Sequence, residues 1–444
     1  MKRLWKSIPP CLSDVHGFQA IINETDGVGI VDDSSRYKPL SMNGVGTEKP
    51  MYMNREAGGF GGERGGFGGG RGGFGGGRGG FGGGRGGFGG GQGGPGGRGG
   101  HGGPGYGGLA GMRVTDSEIR NEDIITGTEK KVIAAFDGIK GVNPTFAMLA
   151  NAPGSSMISS DLESAADSIS QSAGIPAGIV KVYGDKDFEY GASVTLETLA
   201  KMLLESSDKI AGSVNILGCN VADWTDSAVE SLTKEIEVQG VKIISKWGAK
   251  GLTLESIRKA SSASLNLVVN VCGLRAAQYM QSEFGIPYIC GAPYGKEQME
   301  EFLQLMKKAL SDESFDSCST YLNKDKEAAG FDALVIGEQY AANAIRRILI
   351  GKGYSNVRVL SFCEMDKASM EPGDKKLAGE DDLAEFADDE GLKLIVANPD
   401  YKMAANRDIQ WIKMPNYGIS FVEHIAAVDM VGCKLDAWIE DGMK

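Results

Sequence analysis

The amino-acid sequence predicts an α/β fold with three doubly wound parallel-sheet units, interrupted by a glycine-rich insertion. After the insertion, short apolar runs alternate with amphipathic helical patterns, which is typical of parallel sheets built from β-α-β units. This alternation restarts near Val214 and again near Phe331. The predicted organisation is a head at 1–54, an insert at 55–112, and α/β domains at 113–210, 211–311 and 312–444.

Apolar runs and helical spacing justify these domains in order along the chain. A helix is predicted where Val132 and Phe136 share one face, and others where apolar residues recur every three to four residues around 196–203, 229–236, 299–310 and 341–348. Gly240 is the predicted end of the helix around 229–236. The predicted strands are 214–217, 241–244, 265–271, 286–289, 333–336, 357–360 and 392–397.

The insertion is glycine-rich from residue 58 to residue 108, where 35 of 51 residues are glycine. Phenylalanine and arginine recur there every seven residues, as in Phe67 and Arg71. Glycine has high backbone entropy and no side chain, so this segment cannot form a core. Its Arg-Gly-Gly repeats resemble RNA-binding segments. Because only five arginines are spread along it, the pattern favours a flexible or self-associating linker over nucleic-acid contact.

Charge and motif content exclude several function classes. The net charge is −12, and because the insert carries +4 the rest of the chain carries −16, a poor general match for nucleic acid. We expect no signal peptide, because the first 18 residues lack an apolar stretch, and no membrane-spanning run. Seven cysteines without a CxxC pair are typical of a reducing cytoplasm. The sequence outside the insert contains no dinucleotide fingerprint, no ATP-binding P-loop, no HExxH motif and no GxSxG motif.

Four cysteines come at or near the end of a predicted strand. Parallel α/β folds bind ligands beyond the carboxyl ends of their strands, so these thiols are expected to face a crevice. Soft thiolate ligands suit iron–sulfur clusters, which makes them candidate cofactor-binding residues. The alternative is that each is a small buried apolar side chain. The four are Cys219, Cys272, Cys290 and Cys363.

The order of short motifs outside the insert resembles the nitrogenase component 1-type oxidoreductase superfamily. This superfamily includes the nitrogenase molybdenum–iron protein, the dark-operative protochlorophyllide reductase and the nickel-sirohydrochlorin reductive cyclase. The similar segments are PPC at 9–11, HGF at 16–18, VGIVDDSSRY at 28–37, NEDIITGTEKKV at 121–132 (a strand and helix start in the family), NAPGSSMISSDLES at 151–164, VNILG at 214–218, LNLVVN at 265–270, FGIPYI at 284–289, LIVANPDYK at 394–402 and KMPNYGISF at 413–421.

The resemblance implies three Rossmann-like domains and an iron–sulfur cluster held at a subunit interface. Cys11 matches the family's first cluster cysteine. The second position falls within 32–37, which has no cysteine, so Asp32 or Asp33 is the candidate ligand there. The third falls at Pro153, which cannot bind iron.

The resemblance also bears on the catalytic cofactor. Its cysteine falls within three residues of Cys272, and His424 is the histidine nearest to its second ligand position. Because neither matches in register, the standard nitrogenase cofactor is not expected. Another metal cofactor or a tetrapyrrole stays open.

Two functions follow from the resemblance. The first is a subunit of a reductase complex that shares an iron–sulfur cluster with a homologous subunit, as a hetero- or homo-oligomer. It would receive electrons from a separate ATP-dependent iron protein. The second is a non-catalytic scaffold or a partner- or RNA-binding protein with a degenerate metal site, which the missing cysteines favour.

Overall fold

Parallel strands carry the fold in the computed structural model, which describes residues 12–33, 113–157, 160–312, 314–322, 330–414 and 428–444. These residues belong to one compact unit made of the chain on both sides of the insert. Every strand pairing among them is parallel, and they form three sheets with helices between the strands. The predicted α/β class with doubly wound sheets is confirmed.

The first sheet has the strand order β2-β1-β3-β4. Its strands are β1 (Val28–Asp32), β2 (Val114–Asp116), β3 (Ala147–Asn151) and β4 (Ala177–Val180). The central strand β1 comes from the segment predicted as the head. It pairs with β2, although the insert separates the two strands in the sequence. The head therefore contributes to the core of this sheet.

The second sheet has the order β6-β5-β7-β8-β9 and the third the order β12-β11-β10-β13-β14. The strands are β5 (Ser213–Leu217), β6 (Lys242–Trp247), β7 (Leu265–Val268), β8 (Tyr288–Cys290), β9 (Cys318–Ser319), β10 (Ala333–Ile336), β11 (Val357–Ser361), β12 (Lys375–Lys376), β13 (Leu394–Ala397) and β14 (Gln410–Lys413). All seven predicted strands are found, shifted by at most a few residues. The domain boundaries stay a prediction, and β9 extends the second sheet beyond residue 311.

The helices connect these strands. They are α1 (Asp14–Asn23), α2 (Asp123–Thr126), α3 (Glu129–Ile139), α4 (Pro153–Met157), α5 (Leu162–Ala173), α6 (Phe188–Leu203), α7 (Asp226–Val238), α8 (Leu254–Lys259), α9 (Leu274–Phe284), α10 (Lys296–Ser311), α11 (Gln339–Gly351), α12 (Glu380–Ala387) and α13 (Lys434–Met443). The strand expected within 121–132 is wrong, because α2 forms there. Gly240 has a φ of 77° just after α7, as its predicted role at the helix end requires.

Helix α6 lies where the three sheets meet. Its N-cap residue Asp187 accepts hydrogen bonds from the backbone N–H of Tyr190 (3.1 Å) and of Glu364 (3.1 Å), and its Oδ2 lies 2.7 Å from Lys376 Nζ. Glu364 follows β11 and Lys376 belongs to β12, so the last two contacts reach the third sheet. Through Glu189 the same helix meets residues that follow the second sheet. The start of α6 therefore ties the sheets together.

Candidate functional site

Each sheet has a point where the strand order reverses, and polar residues follow the strands there. In sheets of this kind ligands bind at such points, beyond the carboxyl ends of the strands. In the first sheet the point lies between β1 and β3, in the second between β5 and β7, and in the third between β10 and β13. Asp32, Asp33, Cys219 and Cys272 lie at or shortly after the ends of strands that flank these points, whereas Cys290 ends β8 and Cys363 follows β11.

Asp32, the last residue of β1, is fully buried and both carboxylate oxygens have partners. Ser117 Oγ donates to Oδ1 at 2.7 Å, and Thr128 Oγ1 donates to Oδ2 at 2.8 Å. These bonds tie β1 to the residues after β2 and before α3. Asp32 is therefore occupied in holding the first sheet together, which leaves its carboxylate poorly placed to bind iron.

Asp32→Ala should destabilise the protein. The substitution leaves the hydroxyls of Ser117 and Thr128 without acceptors, and each unsatisfied buried polar group costs about 1–3 kcal/mol. We expect the free energy of unfolding in urea to fall by at least about 2 kcal/mol on the same basis. Asp33→Ala is the matched control and should stay much closer to wild type. Equal losses in both variants would contradict this assignment.

Asp33 follows β1 and is also buried, but its Oδ2 meets no hydrogen-bond donor among the described residues. The side chain lies close to the chain that follows β3, since a Cβ added to Gly154 would sit 3.4 Å from Asp33 Oδ1. Burial raises the pKa of nearby Asp116 to about 6, and the charge of Asp33 adds to this shift. Among the described residues, Asp33 Oδ2 thus has no hydrogen-bond partner, and the side chain lies beside the start of α4 at Pro153, which the resemblance aligns with a ligand position of the family.

The crevice cysteines are packed side chains in this structure. Burial raises the pKa of the Cys219 thiol to about 12, and it raises the pKa values of Cys272 and Cys290 well above the ordinary range. Burial therefore favours the neutral thiol form of these three cysteines. Cys363 is buried after β11, and its backbone N–H donates to Ser361 Oγ at 3.1 Å.

The structure brings only some of these cysteines near one another. Cys272 Sγ accepts a hydrogen bond from Asn220 Nδ2 at 3.5 Å and lies 3.9 Å from Gly218 O, so it contacts the residues on either side of Cys219. Among the described ranges, no group of three or more His, Cys, Asp or Glu side chains could hold a metal ion. The cofactor-binding role of the four cysteines stays a prediction. Cys11 and His424 lie outside the described residues.

Buried carboxyl groups, which were not predicted from the sequence, lie at the start of α6, where the three sheets meet. Glu189 on α6 and Glu338 before α11 are 3% and 6% exposed. Asp223, in the loop after β5, is less buried and accepts hydrogen bonds from Asn270 Nδ2 at 2.9 Å and Asn220 Nδ2 at 3.3 Å. The carboxyls of Glu189 and Asp223 contact each other. The sequence signal that could have located these residues is the set of polar side chains that follow the apolar runs of β5, β7 and β10.

Comparison with known proteins agrees with this architecture. Residues 106–373, more than half of the chain, match the family model for nitrogenase component 1 type oxidoreductases. The chain therefore belongs to this family. A solved structure titled "Nitrogenase Cp1 at pH 6.5" aligns with all of this chain and 94% of its own, with a TM-score of 0.67 and 12% sequence identity, a likeness in fold.

Curated relatives with similar sequences are subunits B of light-independent protochlorophyllide reductases. The protein from Pinus koraiensis is 26% identical over 213 residues, 44% of this chain and 40% of the relative. The protein from Prosthecochloris aestuarii is 24% identical over 206 residues, 44% of this chain and 37% of the relative. The match thus spans well under half of these relatives' length. No helix in the described ranges is long and apolar enough to cross a membrane.

Proposed function

We propose that this chain is a subunit of a nitrogenase-like reductase complex that shares an iron–sulfur cluster with a homologous subunit. Electrons would come from a separate ATP-dependent iron protein. Family membership supports the class. The buried Oδ2 of Asp33, which meets no donor among the described residues, is the observation that carries the cluster role. A bound cluster would supply low-potential electron transfer.

The described residues fit such a cluster only in part. Asp33 offers one carboxylate oxygen, and the described cysteines all lie in or after the second and third sheets. Iron–sulfur clusters are held mainly by cysteine thiolates, so one carboxylate is not a sufficient ligand set. Cys11, nearby in sequence to β1, and cysteines of a partner subunit would have to complete the site. We therefore propose that Asp33 and Cys11 are this chain's ligands.

Asp33→Ala should lower the iron content of the complex without unfolding the chain. Removing a ligand should weaken iron binding at least about tenfold, because even the loss of a residue that only hydrogen-bonds to a metal ligand typically has that effect. The measurement is iron per complex after anaerobic co-purification with the proposed component 1-type partner. Asp137→Ala, which removes an exposed carboxylate on α3, is the control. Unchanged iron in Asp33→Ala would remove Asp33 from the site.

A scaffold role is the second candidate, and the lack of a cysteine within 32–37 and at Pro153 favours it. In that role the chain holds a partner or a cofactor precursor and binds no iron of its own. Co-purified wild-type complex free of iron would select this reading. The contribution of the insert is tested separately, by salt-titrated RNA binding with and without residues 58–108. If the deletion leaves binding unchanged, the insert does not contact RNA.

A further inference from the structure

The segment between β2 and α3, residues 117–128, carries the most exposed large apolar side chain among the described residues. Ile125, on the short helix α2, is 88% exposed. Its neighbours Thr126 and Gly127 are exposed as well, so the isoleucine stands at the tip of the segment. Single exposed apolar residues are common on protein surfaces. The place of Ile125 in the fold therefore decides what it can do.

Hydrogen bonds to the end of β1 hold this segment on both sides of Ile125. Before it, the backbone N–H of Ile119 donates to Asp33 O at 2.8 Å. After it, Thr128 Oγ1 donates to Asp32 Oδ2 at 2.8 Å. Thr128 is only three residues from Ile125, a span of at most about 11 Å. Ile125 therefore lies beside the edge of the first sheet that presents Asp33, the proposed iron ligand.

The same segment is ordered internally and carries backbone strain. The backbone N–H of Arg120 donates to Asp123 Oδ2 at 2.8 Å, and the backbone N–H of Asp123 donates to Arg120 O at 3.0 Å. Glu118 has a φ of 52°, in the left-handed region that residues other than glycine rarely adopt. Such conformations persist where the surrounding structure enforces them, and they cluster at functional sites. The fold thus holds Ile125 outward on a fixed support.

The ligand chemistry of this edge indicates what covers it. Asp33 offers one carboxylate oxygen that meets no donor among the described residues, and the described cysteines all lie in or after the second and third sheets. Iron–sulfur clusters are held mainly by cysteine thiolates, so a cluster at Asp33 needs a facing chain that brings cysteines. A second copy of this chain would bring only the same incomplete set. A homologous subunit with the cysteines that this chain lacks would complete the site.

We propose that Ile125 is an apolar anchor for a homologous subunit that carries the missing cysteines, and that it docks in an apolar pocket of that subunit. The inference rests on the proposed function, because the shared cluster defines which chain faces this segment. Docking removes the apolar surface of the isoleucine from water, which favours association. Because the segment is already ordered by its hydrogen bonds to β1, binding costs little conformational entropy.

The test compares two exposed apolar positions in the whole chain. Ile125→Ser should weaken binding of the proposed component 1-type partner at least about tenfold, because full burial of an isoleucine side chain contributes that much or more. Val238→Ser is the matched control: Val238 is 72% exposed at the end of α7, beside the second sheet, and its loss should leave binding unchanged. Analytical ultracentrifugation under anaerobic conditions gives the dissociation constants. Both variants should unfold in urea like wild type, since neither side chain is buried.

The outcomes separate this docking site from the proposed function. Unchanged binding in Ile125→Ser, or equal losses in the two variants, would overturn the docking site. Self-association of the chain that Ile125→Ser weakens, with binding of the partner unchanged, would assign the segment to a second copy and overturn it as well. A wild-type complex without iron would remove the proposed function alone, because the dissociation constants do not depend on the iron measurement. A wild-type chain that binds no such partner would overturn both.

Discussion

Gly191→Ala is expected to destabilise the protein by about 4 kcal/mol or more. Losses of this size are exceptional for a single substitution, and here the cause is a clash between two helix backbones. Helices α1 and α6 cross where Gly17 and Gly191 bring their backbones together. A Cβ on Gly191 would lie 1.9 Å from the Asp14 carbonyl oxygen, and one on Gly17 would lie 2.1 Å from Phe188 O. Backbone atoms cannot move aside as a flexible side chain can, so the helices would have to separate.

The separation would also disturb the residues that α1 orders. The Asp14 carboxylate accepts backbone hydrogen bonds from Tyr183 at 3.0 Å and Gly184 at 2.7 Å, which fixes the segment that leads into α6. Urea unfolding and soluble yield measure the effect. Gly138→Ala is the control, because it lies in α3 with open space around it and should be neutral or slightly stabilising. A Gly191→Ala protein as stable as wild type would show that the crossing is looser than described.

Asp374→Ala should cost about 3–5 kcal/mol, because it leaves a buried charge without its main partner. The Arg346 side chain is 0% exposed, and its Nη1 lies 2.8 Å from both Asp374 oxygens. Glu371, 3.5 Å away, offers a weaker second contact. Asp374 also accepts the backbone N–H of Val359 at 2.9 Å, so its loss affects β11 as well.

Chemical denaturation measures this loss against a matched surface pair. Asp137→Ala removes the carboxylate of an exposed ion pair with Lys140. The side chain of Asp137 is 57% exposed and that of Lys140 is 59% exposed. Exposed pairs contribute about 0–1 kcal/mol, so this variant should stay near wild type. Similar losses in the two variants would mean that the Arg346 cluster is not a major source of stability.

Strands such as β10 and β13 could be predicted from the sequence because they are short, fully buried apolar runs, whereas the partly exposed β9, β12 and β14 were not predicted. Strand β10 has the predicted bounds, and β11 differs by one residue. The first sheet was harder. β1 is separated from its neighbour β2 by the whole insert, and the pairing of distant segments leaves no local pattern. The strand that the resemblance implied within 121–132 does not form, because residues 123–126 form the short helix α2.

The candidate site was predicted only in its position. The strand ends were the right region, and the sequence placed Cys219 and Cys272 there. Their burial, which keeps them as thiols, depends on packing against other elements and cannot be read from spacing. Glu189 was missed because glutamate on a helix is usually exposed. Glu189 is buried because it lies on the face of α6 that meets the second sheet. Similarly, only the contacts among the described residues distinguish Asp32, with both oxygens paired, from Asp33, whose Oδ2 meets no donor there.

Iron analysis of the complex tests the central claim most directly. The chain is co-purified anaerobically with the proposed component 1-type partner, and iron and visible absorption are measured for wild type, Cys11→Ser and Cys433→Ser. Metal that binds the folded assembly stabilises it, so losing a ligand should lower iron and association together. We expect iron in wild type and in Cys433→Ser, whose cysteine is exposed beside α13, and its loss with weaker association in Cys11→Ser. A wild-type complex without iron, or Cys11→Ser with unchanged iron and assembly, would contradict the account.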